Sequence, residues 1–98
     1  ILRYRLLSFV SGNLDKDGEG LRYFVNAGFE MVIAQSFAKI MGLYGERTGA
    51  LHFVCGDKGE AGRVLSQLKL IVRVNYSSPP KHGSRIAAMV LLDPKMRQ

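Results

Sequence analysis

One short stretch of the sequence holds an amine, a hydroxyl and a guanidinium in a spacing that could do chemistry. Ser36-Phe37-Ala38-Lys39 closes an apolar run with a lysine, and Arg47 follows beyond Gly42-Leu43-Tyr44-Gly45-Glu46. A lysine just past a buried strand loses hydration, which favours its neutral amine. A neutral amine attacks a carbonyl and forms a Schiff base. Ser36 could present a hydroxyl beside it, and Arg47 offers a planar fork suited to a phosphate. An amine for an aldehyde, with a hydroxyl and a guanidinium for a phosphate, is the set that a phosphorylated aldehyde cofactor needs. The spacing alone is also what an ordinary lysine leaving a strand for solvent would show. The glycines carry no nucleotide reading, because Gly42 to Arg47 lacks the Gly-Lys-Ser/Thr ending of a P-loop.

The elements that must position these residues follow from periodicity and turn chemistry. Ser11-Gly12-Asn13 and the residues from Asp15 to Gly20 are turn-rich, and Asp17 is placed to cap a helix carrying Leu21, Phe24 and Val25. Asn26-Ala27-Gly28 stops that helix. The apolar, β-branched run from Glu30 to Phe37 predicts a buried strand. The glycine-rich residues from Lys39 to Gly49 predict an irregular loop, and Ala50 to Cys55 a second strand. After the turn Gly56-Asp57-Lys58-Gly59 comes an amphipathic helix over about Glu60 to Asn75, with Val64, Leu65, Leu68, Ile71 and Val72 on one face. Pro79 and Pro80 bar helix there. A last helix runs from about His82 to Leu92 with Ile86, Met89 and Val90 as its apolar stripe, ending at Asp93-Pro94. Short apolar strands with covering helices predict α/β layers.

Composition narrows the class. The chain has 98 residues, 47% of them hydrophobic, which excludes a disordered tail. The formal net charge of +6 would suit an anionic partner, but the basic residues are scattered and not interleaved with aromatics as in RNA-binding modules. No nucleic acid is expected. No apolar stretch reaches the roughly 18 residues of a membrane span, and no membrane association is expected. The single cysteine, Cys55, lies in an apolar run, so a buried thiol is expected. Ile1 opens the sequence without an initiator Met and Gln98 closely follows a helix, so both ends read as cuts.

Ser-Phe-Ala-Lys-Ile-Met-Gly-Leu-Tyr-Gly-Glu-Arg-Thr-Gly, Ser36 to Gly49, resembles the cofactor-lysine signature of aspartate aminotransferases, which are fold-type-I pyridoxal-phosphate enzymes. The resemblance continues through Ser66-Gln67-Leu68-Lys69, Ile71-Val72-Arg73, Tyr76-Ser77-Ser78-Pro79-Pro80, His82-Gly83, Arg85-Ile86-Ala87 and Asp93-Pro94. Upstream it includes the residues from Phe9 to Asp17 and Arg22-Tyr23-Phe24. It implies that residues 1–98 are one piece of the cofactor-binding large domain, a partial three-layer α/β/α arrangement. It further implies pyridoxal 5'-phosphate as cofactor, and amino-group transfer between aspartate and 2-oxoglutarate by a homodimer. The substrates would be aspartate, glutamate and their 2-oxo acids. Lys39 would hold the cofactor and move the substrate proton. Ser36 and Arg47 would bind the cofactor phosphate. Arg73 would reach across the dimer to a dicarboxylic side chain, with Ser77 near the partner's site. Tyr44 and Tyr76 would be packing residues at the interface. The expected compartment is cytoplasmic, with mitochondrial as the alternative.

The sequence also departs from the family. Where a family strand carries an aspartate for the pyridine nitrogen and a tyrosine for the ring oxygen, an ungapped reading from Phe9 gives Arg3 and Leu6. Arginine there would oppose protonation of the ring nitrogen. Ile40 replaces an asparagine after the lysine. These departures support an alternative, a catalytically dead or truncated relative serving as a binding or structural module. Of the family site, the arginine for the substrate α-carboxylate, the aromatic that stacks on the cofactor and an upstream phosphate loop fall outside the sequence.

Overall fold

Apolar, β-branched residues decide where the sheet runs. Met-Val-Ile-Ala-Gln-Ser forms β2 (Met31–Ser36) and Gly-Ala-Leu-His-Phe-Val forms β3 (Gly49–Val54). The computed structural model describes residues 2–4 and 11–96; Leu6 and Phe9, which anchor the upstream reading, lie outside the described residues. A third strand, β1 (Leu2–Tyr4), precedes them in a sheet of order β1-β2-β3. β1 runs parallel to β2, with Leu2 opposite Ile33, Arg3 opposite Ala34 and Tyr4 opposite Gln35. β3 runs antiparallel to β2, from Met31 opposite Val54 to Ser36 opposite Gly49. Residue-by-residue reading did not find β1, because three residues are too few to show a period.

A parallel pair needs a crossover, which here contains α1 (Leu14–Asp17) and α2 (Glu19–Asn26). Asp17, expected to cap the helix that carries Leu21, Phe24 and Val25, does not: the N-cap of α2 is Gly18, without a side-chain hydrogen bond. Asn13 caps the preceding α1, its side chain accepting from the Asp15 and Lys16 amides at 2.9 and 3.1 Å. Asp17 ends α1 and receives the Ser11 hydroxyl at 2.6 Å. Gly18 separates the two short helices. Arg22 reaches back to Asp15 at 3.6 Å, and the Phe24 ring meets Tyr23 and Phe29 edge-on.

The residues from Lys39 to Gly49 are not wholly irregular, for Phe37–Ile40 makes one helical turn, α3, directly off β2. The longest helix, α4 (Lys58–Asn75), starts earlier than its apolar pattern suggests, because Asp57 caps it. Asp57 accepts from the Glu60 amide at 2.8 Å, while Glu60 accepts from the Gly56 amide at 2.9 Å. Val64, Leu68 and Val72 are half-buried, whereas Leu65 and Ile71, expected on the same face, are exposed. α5 (His82–Leu92) buries Gly83 and Ala87 and half-buries Ile86 and Val90; Met89, expected in its stripe, is exposed. Cys55 is half-buried. Desolvation, then the negative charges of Glu60, Glu30 and Asp57, push its thiol up from the ordinary value.

The core is small: Ile33, Phe37 and Ala87 are the buried hydrophobic side chains among the described residues. A folded monomer of this mass exposes about 5,600 Å², yet this chain exposes 7891 Å². The surplus of roughly 2,300 Å² is the area of a large protein–protein interface. The radius of gyration, 15.0 Å, likewise exceeds the roughly 13 Å of a compact domain of this length. Val74 is 87% exposed and Leu92 82%. Among the described residues no helix is long and apolar enough to cross a membrane. With this much uncovered apolar surface, the isolated 10.9 kDa chain should self-associate. Sedimentation velocity should show mass rising with concentration; a monodisperse monomer that unfolds cooperatively would contradict this.

Candidate cofactor-binding site

Ser36 is both the last residue of β2 and the N-cap of α3, and that double duty builds the site. Its hydroxyl oxygen accepts from the Ala38 amide at 3.2 Å, which leaves its O–H able to donate. α3 then carries Lys39 past the end of the sheet. The chain returns through residues 41–48, and the Phe37 amide donates to the Thr48 carbonyl at 3.1 Å as β3 begins. Ser36 and Gly49 are paired across the ladder. Lys39, Ser36 and Arg47 therefore all belong to the end of the sheet where β1 and β2 finish, the end at which open α/β sheets bind ligands.

Gly49 makes this closure possible. A Cβ at that position would collide with the Gln35 carbonyl oxygen. The two strands meet backbone to backbone just where the loop is pinched shut.

Lys39 is exposed, so the expectation that it would lose its water is not met. α3 projects beyond the strands, and no other described element of the chain buries its tip. The amine is held in a different way, with Nζ 4.5 Å from the centroid of the Tyr44 ring. The negative face of an aromatic ring attracts a cation at this distance. Tyr44, expected to be a packing residue at an interface, is a neighbour of the amine, and its place five residues after Lys39 gave no periodic signal. Tyr76 is exposed.

Arg47 is exposed and donates from one guanidinium nitrogen to the Tyr44 carbonyl at 3.1 Å. Its φ is 51°, and Ser77 has a φ of 56°. Among the described residues these are the non-glycine positions in the left-handed region, where a side chain costs about 1–2 kcal/mol. Arg73 lies in the last turn of α4 and Ser77 just beyond it, the Ser77 amide donating to the Val72 carbonyl at 2.9 Å. Both are exposed, and no hydrogen bond or ion pair among the described residues joins either to Ser36, Lys39 or Arg47. No group of three or more His, Cys, Asp or Glu among the described residues is arranged to hold a metal.

The sequence pattern described as "Aminotransferase class I and II" matches residues 7–98. The chain belongs to the class I and II aminotransferase family. It is 49% identical over 90 residues to the mitochondrial aspartate aminotransferase of Gallus gallus, covering 92% of this chain and 21% of that protein. It is 58% identical over 85 residues to the chloroplastic aspartate aminotransferase 3 of Arabidopsis thaliana, covering 87% of this chain and 19% of that protein. Its fold superposes with a TM-score of 0.92 on an aromatic-amino-acid aminotransferase from Burkholderia pseudomallei covalently bound to pyridoxal phosphate, at 43% identity, over 98% of this chain and 24% of that one. The chain thus spans about a fifth to a quarter of the length of these aminotransferases. The expected fold is confirmed: the strands and helices form part of the three-layer α/β/α domain of fold-type-I aminotransferases.

Within this aminotransferase segment the left-handed positions give a test. Replacing Arg47 or Ser77 by glycine removes a steric cost at the price of a floppier unfolded chain. Urea unfolding of the full subunit should therefore place Arg47→Gly and Ser77→Gly within about 1 kcal/mol of the parent, on either side. A larger loss would mean that these side chains hold the fold.

Proposed function

We propose that the chain is part of an aspartate-aminotransferase-like subunit that transfers an amino group between L-aspartate and 2-oxoglutarate, with pyridoxal 5'-phosphate as cofactor. The observation that carries this reading is the closure of the β2–β3 ladder, which places an amine, a hydroxyl with a free donor and a guanidinium at one end of the sheet. The donor set fits the group: Lys39 for the aldehyde, and Ser36 and Arg47 for the phosphate. The cost of an arginine at a left-handed position supports a role for the Arg47 side chain outside local packing. The kinship with aminotransferases supports the same assignment.

The bound cofactor supplies an electron sink that lets an amino acid's Cα–H bond ionise. The chain's own residues do the rest. The Lys39 amine would hold the cofactor's aldehyde and would carry the proton taken from the substrate Cα. Exposure of Lys39 in this chain leaves water exclusion to other parts of the subunit. Ser36 donates its O–H to the phosphate, and Arg47 offers its remaining N–H groups to the same anion. Arg73, exposed at the end of α4, pairs with the side-chain carboxylate of aspartate or glutamate in the partner subunit of a homodimer, and Ser77 lies at the rim of that site. The isolated chain is inactive. The proposed compartment is the cytoplasm, with the mitochondrion as the alternative.

A second reading, a relative that has lost catalysis, is supported by Arg3, which stands in β1 opposite Ala34. The two readings separate experimentally. In the full subunit, cofactor binding should give a near-ultraviolet or visible absorbance band that borohydride fixes on Lys39; equal labelling of other lysines would defeat the assignment. A fixed Lys39 without amino-group transfer would favour the second reading. Arg73→Leu should lower kcat/KM for aspartate by about two orders of magnitude, the loss of a bidentate charge-assisted pair. The same change should leave an aromatic amino acid nearly unaffected, and equal losses for both would remove Arg73 from substrate recognition.

A further inference from the structure

The segment that bears Arg47 rests on α5 as well as on the hairpin. Gly83 is buried in the first turn of α5, where alanine would be the better helix former. A Cβ built there would come within 2.7 Å of the Glu46 Cβ and 3.2 Å of the Thr48 Cβ, and would collide with Thr48 Oγ1. Two of these atoms are Cβ atoms fixed to the backbone, so a side chain at position 83 must move the loop. One turn on, Ala87 is 3% exposed. α5 thus lays Gly83 against Glu46 and Thr48, the two neighbours of Arg47 in sequence.

We propose that Gly83 is a positioning residue: by letting α5 approach the Glu46–Thr48 segment closely, it fixes where the Arg47 guanidinium meets the cofactor's phosphate. This rests on the reading of Arg47 given above. A left-handed arginine keeps its backbone only where its surroundings hold it. Three contacts do so here. The Thr48 carbonyl accepts from the Phe37 amide at 3.1 Å, the Thr48 hydroxyl donates to the Glu46 carbonyl at 3.1 Å, and the third is the Gly83 face itself. The first two tie the loop to the sheet and to itself; the third sets its distance from α5. Displacement of a charged fork by a fraction of an ångström weakens its directional bonds to phosphate oxygens, whereas Lys39 stands on α3, outside the Glu46–Thr48 segment that Gly83 meets.

The probes are pyridoxal phosphate and pyridoxal, which share the aldehyde and differ in the phosphate. Their dissociation constants are measured by fluorescence on the full subunit, and the ratio between them reports the phosphate grip. Gly83→Ala should weaken pyridoxal phosphate about tenfold and pyridoxal less than about twofold, as expected of a lost charge-assisted bond. The same change in a Thr48→Ala background should still lower the ratio, because the Glu46 Cβ, 2.7 Å from the new methyl, remains in the way. Equal weakening of both probes, or an unchanged ratio, would overturn the proposal. Should Gly83→Ala not fold, Thr48→Ala alone decides: a ratio lowered a few-fold supports the contact, and an unchanged ratio overturns it. Arg47→Gly is the reference. If it leaves the ratio intact, the phosphate reading of Arg47 has failed, whatever position 83 does.

Discussion

Everything at the functional end of this chain depends on one backbone closure. β2 and β3 pair antiparallel up to Ser36 and Gly49, and the Phe37 amide adds one further bond to the Thr48 carbonyl. The residues between leave and rejoin the sheet at the same point, so the loop's ends are fixed while its middle projects. Without the Phe37–Thr48 bond, Lys39 and Arg47 would be separated by a free loop. With it, they are two points on a short, tied arc. The absence of a side chain at Gly49 is what lets the strands meet at the pinch.

The same closure explains how much could be read from the sequence. The two strands, the two long helices and the stop at Pro79-Pro80 were legible, since each has a strong period or a strong breaker. The lysine, the serine and the arginine stand out as a trio because the surrounding motif resembles a known family; their spacing alone does not set them apart from an ordinary lysine leaving a strand. What was not legible lies in short-range geometry. Asp17 does not cap α2, because it is itself still helical as the last residue of α1 and Gly18 takes the N-cap position. α3 escaped notice because one turn shows no repeat. Lys39 was expected to be dehydrated because it follows an apolar strand, but a turn of helix carries it beyond the sheet before any side chain can cover it. Arg47 and Ser77 stand in left-handed conformations that sequence reading assigns to glycine.

The outward faces of α4 and α5 tell a different part of the story. The amphipathic pattern on α4 gave one stripe, yet the structure uses Val64, Leu68 and Val72 inward and leaves Leu65, Leu70, Ile71 and Val74 uncovered. A helix apolar on more than one side is one packed on more than one side. This accounts for a core of few residues in a chain that is nearly half hydrophobic. It fits kinship with proteins four to five times longer.

The tied loop also has a kinetic meaning. Its ends are close in sequence, so closing it costs little chain entropy. The parallel pairing of β1 with β2 must instead bring together strands separated by the whole crossover through α1 and α2. Contacts of short span form before those of long span. The end of the sheet that bears Lys39 therefore costs less chain entropy to close than the ladder between β1 and β2 does.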